Sequence, residues 1–448
     1  MDEGIEFTIA KLAEEKGGRV YYVGGFVRDR LMGRENKDVD IEVHGISPED
    51  LYGILKSVGE PMTFGKSFGI YSLKGCHIDI AMPRKERATG RGHRDFEVDV
   101  DPFIGTQAAS SRRDFTVNAM MEDVLTGELI DHFGGREDLE KGILKHVNDK
   151  SFAEDPLRVL RGAQFASRFG FTVARETVEL CRSIDLSALS RERVEEEMKK
   201  ALLQGSKPSV FFEVLKDMDQ LDIWFPELKS CIGIEQDPVF HPEGDVWVHT
   251  MEVLDRAASL RGETQDPYAF MLLALVHDLG KTVTTEEKNG RIHAYGHETE
   301  GVPIAEAFLE RVCGEKDVKD YVLNMLPLHM KPNMLAYSKS PVKKTNRLFD
   351  SAAAPKDLIY FSMADRPLMS GDDPFEGDSD VLFERYRIFE EMMAKPYVQG
   401  RDLIEAGLEP GPYFTELLDY AHKLRLAGIE KDMALKQTMS YARSNKYI

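Results

Sequence analysis

The amino-acid sequence predicts an α+β fold in which a small α/β domain is followed by a long helical region. The first observation is a set of short apolar strand patterns, all within the first 145 or so residues. The second is that these patterns stop near residue 155, after which amphipathic segments follow one another. The third is a break rich in Pro and Gly at residues 234–244, beyond which histidine-rich helical patterns begin. Together they predict four regions: residues 1–150, 151–232, 233–370 and 371–448.

The strands of the first region are recognised by their Val, Ile and Tyr content and by the glycines that end them. Residues 19–23 read as a buried strand that stops at Gly24-Gly25, and residues 26–33 have helical spacing that stops at Gly33. Further strands are predicted at residues 38–44, 67–73 and 77–82, with a helix at residues 47–58. These elements define the α/β domain.

The remaining regions are predicted to be all-helical. Amphipathic runs occupy residues 155–169, 191–203 and 209–221, and two or three more helices follow an acidic stretch at residues 371–380. Residues 371–391 hold 8 acidic and 2 basic residues, which is typical of a solvated linker or helix face.

Charge and cysteine content restrict the possible functions. A net charge of −20 disfavours nucleic-acid binding in general, but residues 158–200 carry 9 Lys/Arg against 7 Asp/Glu, which leaves room for one basic face. The four cysteines lie far apart without a CxxC pair, so we expect free, buried thiols. No apolar run approaches the roughly 18 residues of a membrane helix. We therefore expect a cytoplasmic protein without membrane contact, either a monomer or a homodimer.

A glycine pair and two spaced carboxylates suggest phosphate chemistry in the first region. Gly24 and Gly25 let the backbone approach a ligand at the start of a helix, where Arg28 adds a phosphate contact and Asp29 holds that arginine. Asp38 and Asp40 are two residues apart on a predicted strand, so their carboxylates share one face and can hold Mg²⁺ for phosphoryl transfer. An isolated pair of this kind is more often a solvated strand end.

The complete segment GGFVRDRLMGRENKDVD, residues 24–40, resembles the signature of the class II tRNA nucleotidyltransferases, the CCA-adding enzymes, and of the related bacterial poly(A) polymerases. Two further motifs follow in the family's order, RRDFTVNA at residues 112–119 and EDPLR at residues 154–158. The resemblance implies a polymerase-β-like head, a helical neck at residues 156–230 that holds the acceptor stem, and the substrates tRNA, CTP and ATP. It implies catalysis by Asp38 and Asp40 with Mg²⁺, and nucleotide binding by Gly24, Gly25, Arg28, Arg113, Asp114, Asn118, Asp155, Arg158 and Arg161.

Two further features fit this resemblance, each with a simpler alternative. Asp79 can supply a third carboxylate to the metal, or it is a strand-surface residue. Residues 84–95 resemble the flexible loop that the family uses when it changes from C to A addition, or they form an ordinary surface loop.

Asp155 and Arg158 have the chemistry to choose bases. Cytosine and adenine both present an amino donor beside a ring-nitrogen acceptor, so one carboxylate and one guanidinium on the same helix face distinguish them from uracil and guanine. An unpaired buried group costs about 1–3 kcal/mol, which is enough for useful selection. The alternative is a surface ion pair three residues apart, worth only tenths of a kcal/mol.

A second constellation lies in the third region, where His249, His277-Asp278 and Asp365 follow in order. This order resembles the HD phosphohydrolase superfamily and implies one bound divalent ion, with Lys281 contacting a substrate phosphate. His297 and His329 extend the set to a second metal, or each is simply a hydrogen-bonded helix residue. Imidazole ligands favour Ni²⁺, Co²⁺ or Mn²⁺ over Mg²⁺.

The sequence therefore predicts an enzyme that adds CCA to tRNA and carries an HD phosphohydrolase domain. Three alternatives remain open: a poly(A) polymerase, an enzyme limited to A or CC addition, and an HD hydrolase with a non-catalytic RNA-binding head. Balanced charge in residues 401–448 disfavours the first, and the retained Asp38 and Asp40 disfavour the last.

Overall fold

The structure, a computed structural model, describes residues 4–36, 38–63, 69–88, 96–366, 377–445 and 447. The loop predicted at residues 84–95 and the acidic stretch at 371–380 lie partly outside these residues. Contacts divide the chain into two compact units, Met1–Trp224 and Phe225–Ile448.

The first unit is built on a seven-stranded sheet with the order β3-β4-β5-β2-β1-β8-β9. All neighbouring strands are antiparallel except β2 and β5, which are parallel. Strands β6 and β7 form a separate antiparallel pair. The strands of this unit are β1 (Arg19–Val23), β2 (Val39–His44), β3 (Pro61–Thr63), β4 (Ile70–Leu73), β5 (Ile78–Ala81), β6 (Arg84–Ala88), β7 (Phe96–Val100), β8 (Met121–Asp123), β9 (Leu129–Ile130), β10 (Ile143–Leu144) and β11 (Thr172–Val173).

Helices of the first unit cover the sheet and continue into the neck. They are α1 (Ile5–Glu15), α2 (Gly25–Leu31), α3 (Pro48–Val58), α4 (Thr106–Ser110), α5 (Gly135–Lys141), α6 (Asp149–Ala153), α7 (Leu157–Phe169), α8 (Arg175–Cys181), α9 (Arg191–Gln204) and α10 (Ser209–Asp217). Ser47 begins α3 by accepting a hydrogen bond from Asp50 N, with Pro48 in the first turn. The apolar faces of α1 and α3 and the sheet residues Ile41 and Ile80 share one core.

In its described residues, the second unit is helical apart from one ribbon. Its elements are α11 (Pro226–Lys229), α12 (Val246–Leu260), α13 (Pro267–Val276), α14 (Lys281–Thr284), β12 (Glu286–Lys288), β13 (Arg291–His293), α15 (His297–Val312), α16 (Lys316–Met325), α17 (Lys331–Tyr337), α18 (Val342–Ser351), α19 (Pro355–Ala364), α20 (Asp378–Ala394), α21 (Gly400–Glu405), α22 (Phe414–Leu426) and α23 (Lys431–Ser444). All but the first residue of α13 are buried, so it is the central helix of this unit.

The predicted fold class is confirmed, with five local corrections. Strand β2 begins at Val39, so Asp38 precedes it, and α7 begins at Leu157, so Asp155 lies before its helix. Two additions interrupt the expected all-helical regions, namely β11, which pairs with β10, and the ribbon of β12 and β13. Among the four free cysteines Cys76 is exposed rather than buried. A membrane-spanning helix is not found in the described part of the chain.

Candidate active sites

The first candidate site is a cleft of about 890 Å³ in the first unit, with Gly24 and Gly25 in its wall. Gly24 has φ 66° and ψ −135° at the end of β1, a conformation that side chains with a Cβ disfavour. A Cβ placed there would lie 3.0 Å from Arg113 Nη1 and 4.0 Å from Asp40 Oδ2. The glycine therefore keeps the backbone open where a cationic and an anionic side chain meet.

Three carboxylates gather at the start of β2. Asp40 lies opposite Asp79 in the parallel register of β2 and β5, and exposed Asp38 precedes β2 by one residue. Burial raises the pKa of Asp40, Arg113 opposes the rise, and the charges of Asp79 and Asp38 add to it. Like charges held this close fit a divalent cation, and carboxylate oxygens are the ligands that Mg²⁺ prefers.

Arg113 is held by a residue that the sequence analysis missed. Glu42, buried on β2, has Oε2 at 3.5 Å from Arg113 Nη2, and its Oε1 lies 2.8 Å from His44 Nε2. Burial alone would raise the pKa of Glu42, but His44 and Arg113 bring it below its ordinary value. The signal was present in the sequence, because Asp38, Asp40 and Glu42 recur at every second residue.

Four of the predicted nucleotide-binding residues form one hydrogen-bonded network. Arg28 Nη1 donates to Asn118 Oδ1 (2.7 Å), Asn118 Nδ2 donates to Asp114 Oδ1 (3.0 Å), and Arg161 Nε donates to Asp114 Oδ2 (2.8 Å). As expected, Asp29 holds Arg28, through Oδ1 at 2.7 Å from Nη2. Arg28 is only 4% exposed, so its guanidinium shapes the cleft wall and has little surface left for a phosphate.

Asp155 and Arg158 both line the cleft. The carboxylate of Asp155 accepts from Arg193 Nη2 at 3.1 and 3.2 Å. Arg158 donates to the carbonyl oxygens of Ser151 (2.8 Å) and Arg112 (2.7 Å). Backbone anchors thus fix the direction of the Arg158 guanidinium. Arg193, on α9, is a site residue that the sequence did not reveal.

The second candidate site lies within the second unit, where the six residues predicted for the HD centre come together. They are contributed by separate segments: His249 on α12, His277 and Asp278 after α13, His297 at the start of α15, His329 before α17, and Asp365 after α19. Asp365 is half-buried and the other five are buried.

The hydrogen bonds of the four histidines define which ring nitrogen is available. In each ring Nδ1 faces an acceptor, so Nδ1 carries the proton and Nε2 keeps a lone pair in the neutral form. The acceptors are Glu243 Oε1 for His249 (2.7 Å), Ala274 O for His277 (2.9 Å), Ala294 O for His297 (2.8 Å) and Leu326 O for His329 (2.6 Å).

The free nitrogens face one another in two pairs, each beside a carboxylate. His249 Nε2 lies 3.3 Å from His277 Nε2 and 3.1 Å from Asp365 Oδ1. His297 Nε2 lies 3.3 Å from His329 Nε2 and 3.3 Å from Asp278 Oδ1. Two lone pairs at this distance repel unless a cation lies between them, so both groups have donor sets that fit a metal ion.

Asp278 connects the two groups. Its Oδ1 faces His297, whereas its Oδ2 lies 3.3 Å from His277 Nε2 and 3.5 Å from His249 Nε2. Burial would raise the pKa of Asp278, but Lys281 and the histidines lower it well below the ordinary value. Burial would likewise lower the pKa of His277, yet Asp278 and Asp365 raise it to about 10. A proton and a metal ion therefore compete for this imidazole.

Two residues near the HD centre change the sequence-based interpretation. Lys281 is 7% exposed, pairs with Asp278 Oδ2 at 2.7 Å and donates to Gln236 Oε1 at 2.6 Å. The sequence predicts that this lysine contacts a substrate phosphate, but its burial and its two partners prevent that contact. Glu243, which the sequence analysis missed, accepts from His249 and also lies 3.0 Å from His241 Nδ1. A carboxylate behind a metal-binding imidazole fixes its orientation and raises its basicity.

Comparison with known families assigns the two candidate sites to two different domain families. Residues 20–145 match the family described as the Poly A polymerase head domain, and residues 246–366 match the HD domain. Residues 170–232 match the family described as "Probable RNA and SrmB- binding site of polymerase A". The chain thus combines a nucleotidyltransferase head and an RNA-binding neck with an HD domain.

Similar proteins show which family of nucleotidyltransferases the chain belongs to. The chain is 37% identical to a multifunctional CCA protein from Alkalilimnicola ehrlichii, over 87% of this chain and 94% of the relative. It is 34% identical to a multifunctional CCA protein from Actinobacillus pleuropneumoniae, over 92% of this chain and 98% of the relative. The chain belongs to the family of multifunctional CCA proteins, which confirms the predicted enzyme class and the function predicted with it.

Solved structures share the fold at lower identity. A Thermotoga maritima CCA-adding enzyme complexed with tRNA aligns with a TM-score of 0.66 at 22% identity, covering 98% of this chain and 94% of that one. A CCA-adding enzyme in complex with ATP aligns with a TM-score of 0.68 at 22% identity, covering 98% and 93%.

Proposed function

We propose that this chain adds C and A to the 3′ end of tRNA from CTP and ATP without a nucleic-acid template, and that its HD centre hydrolyses phosphate esters. The observation that best supports nucleotide addition is that Asp40, the proposed metal ligand, lines the same cleft as Asp155 and Arg158, the proposed base-selecting residues. A tRNA substrate and four free cysteines suit a cytoplasmic enzyme.

In the head, Asp38 and Asp40 are the proposed ligands of Mg²⁺, with Asp79 beside them. When bound, Mg²⁺ lowers the pKa of the attacking 3′ hydroxyl and neutralises charge on the phosphates. Arg113, held by Glu42 above Gly24, supports the triphosphate, and the open backbone at Gly24 gives it room.

Base selection follows from the anchored geometry in the same cleft. Arg158 keeps its guanidinium in one direction through two backbone carbonyls, so it presents fixed donors to a ring acceptor. In the structure, Arg193 donates to the Asp155 carboxylate. To accept a hydrogen bond from a base amino group, Asp155 therefore either breaks its contact with Arg193 or binds both donors at once. The Arg158 donors and the Asp155 acceptor complement the edges of C and A. With U or G, donor would face donor and acceptor would face acceptor, and these groups would stay unpaired.

In the HD centre, His249, His277 and Asp365 form one proposed metal site, and His297, His329 and Asp278 form the second, with Asp278 reaching both. Bound metal ions supply an activated water and polarise a phosphoryl group. The predominance of imidazole nitrogen suits Ni²⁺, Co²⁺ or Mn²⁺. Buried Lys281 compensates Asp278 rather than holding substrate.

Nucleotide addition to tRNA that lacks its CCA end tests the head. With CTP alone we expect CC, with CTP and ATP together the complete CCA, and with UTP or GTP no extension. Extension by A alone or CC alone would favour an enzyme of restricted specificity, and long A tails would favour a poly(A) polymerase. The absence of any extension would overturn the proposal and favour a non-catalytic head.

Metal content and hydrolysis test the HD centre. The protein is stripped with a chelator, reloaded with Ni²⁺, Co²⁺, Mn²⁺ or Mg²⁺, and assayed on phosphomonoesters and phosphodiesters. We expect the strongest hydrolysis with a transition metal. His329→Ala should lose metal from the second group only, whereas Asp278→Ala should lose it from both. The absence of hydrolysis with every metal would show that this domain is structural.

A further inference from the structure

Residues 321–349 stand apart from the rest of the chain in charge. This stretch contains five Lys/Arg and not one Asp or Glu, although the whole chain has 78 acidic and 58 basic residues. It includes α17 and α18, which pack against each other in the second unit. A segment with basic and no acidic residues, in so acidic a protein, fits a polyanion.

The two helices enclose an open cleft of about 340 Å³. Lys331 contributes from α17, and Lys344 and Arg347, one helical turn apart, contribute from α18. Within the described part of the chain, none of these three cations forms an ion pair or hydrogen bond with a carboxylate. The nearest acid in sequence, Asp350, is paired with His422 at 2.9 Å.

The floor of the cleft is apolar. Leu348 is buried there, Leu335 is half-buried, and Met334 is 60% exposed. A ligand that covers the Met334 side chain would remove its apolar surface from water, which stabilises the complex. Cationic side chains around an apolar floor suit a ligand that carries phosphate groups next to riboses or base faces, as an RNA strand does. A free phosphate would not use the floor.

We infer that this cleft binds the phosphate backbone of the tRNA substrate. The inference rests on the proposed function, since it names a second contact with the same RNA, apart from the nucleotide cleft. The contact is sequence-independent because phosphates carry no base information. Each lost phosphate contact should lower tRNA affinity about tenfold at 0.1 M salt and reduce the slope of log affinity against log salt by about one.

The test is the double variant Lys344→Gln/Arg347→Gln, with Lys343→Gln as a matched control. Lys343 is an exposed cation on the same helix but does not line the cleft. Equilibrium binding of tRNA is measured across a salt series, together with the KM for CTP and for tRNA. We expect roughly 10- to 100-fold weaker tRNA binding and a salt slope smaller by about two for the double variant. The KM for CTP, the melting temperature and hydrolysis of a small phosphate ester should stay unchanged.

Equal tRNA affinity for the double variant and the control would overturn the inference, and so would an equal loss in both. If the double variant instead loses only binding to an acidic peptide tested in parallel, the cleft is a protein-binding surface and the inference is wrong. Binding is measured without nucleotide addition, so a wild-type protein that binds tRNA but adds no nucleotide would overturn the proposed function alone.

Discussion

Replacing Glu243 with Gln removes the charge behind one metal-binding imidazole while retaining its size. In the structure Glu243 Oε1 accepts from His249 Nδ1 at 2.7 Å, and the side chain of Glu243 is 6% exposed. The carboxylate fixes the His249 tautomer that leaves Nε2 free for metal. Because an amide oxygen can still accept the hydrogen bond, the ring stays in place and only its basicity falls.

The size of the effect follows from this contact. Partners of this kind typically contribute 10- to 100-fold to metal affinity, or about 1.4–2.7 kcal/mol. We therefore expect Glu243→Gln to weaken binding at the group of His249, His277 and Asp365 by roughly that factor. The group of His297, His329 and Asp278, which does not include His249, should be less affected.

The assay is calorimetric titration of chelator-stripped protein with Mn²⁺ or Ni²⁺. Glu252→Gln is the matched control, because Glu252 lies on the helix that carries His249, belongs to neither metal-binding group, and has a 38% exposed side chain that pairs with Arg256 at 3.2 Å. Nucleotide addition to tRNA should be normal in both variants. Metal affinity equal to wild type in Glu243→Gln would refute the positioning role of this carboxylate.

Three further substitutions test particular contacts. Gly24→Ala puts a side chain at φ 66° and 3.0 Å from Arg113 Nη1, so nucleotide addition should fall by at least about tenfold in kcat/KM, which steady-state kinetics would show. Gly280→Ala would place a Cβ 2.0 Å from His297 O, so a lower melting temperature and loss of metal-dependent hydrolysis are expected, and a wild-type melting curve would contradict this. Asp155→Ala should raise misincorporation of U relative to C more than it weakens tRNA binding, and unchanged selectivity would remove Asp155 from base selection.

The sheet of the head was predictable because its signals are local. Val and Ile side chains of β1 and β2 fill the core, and a glycine ends β1, so the sequence pattern and the burial agree. The ribbon of β12 and β13 was missed although its turn is local too. Asn289 (φ 55°) and Gly290 (φ 73°) form the two-residue turn for which Asn-Gly is a strong signal. Ile292 is the single apolar residue of the two strands and β12 is fully exposed, so no apolar pattern marked them.

Site residues were predictable when they belonged to motifs and not when distant contacts placed them. Arg193 is separated from Asp155 by 38 residues, and no local pattern joins the two. Lys281 looked available in the sequence because it follows His277 and Asp278, but folding buries it against Asp278. Partners of this kind depend on tertiary packing, which a single sequence does not encode in any short spacing.

Two activities measured in two variants test the central claim, that one chain carries two separate metal-dependent centres. Asp40→Asn and Asp278→Asn are each assayed for CCA addition to truncated tRNA and for hydrolysis with Ni²⁺ or Mn²⁺. Asp40→Asn should lose nucleotide addition and keep hydrolysis, whereas Asp278→Asn should lose hydrolysis and keep nucleotide addition. Loss of both activities in either correctly folded variant, or retention of nucleotide addition in Asp40→Asn, would contradict the account.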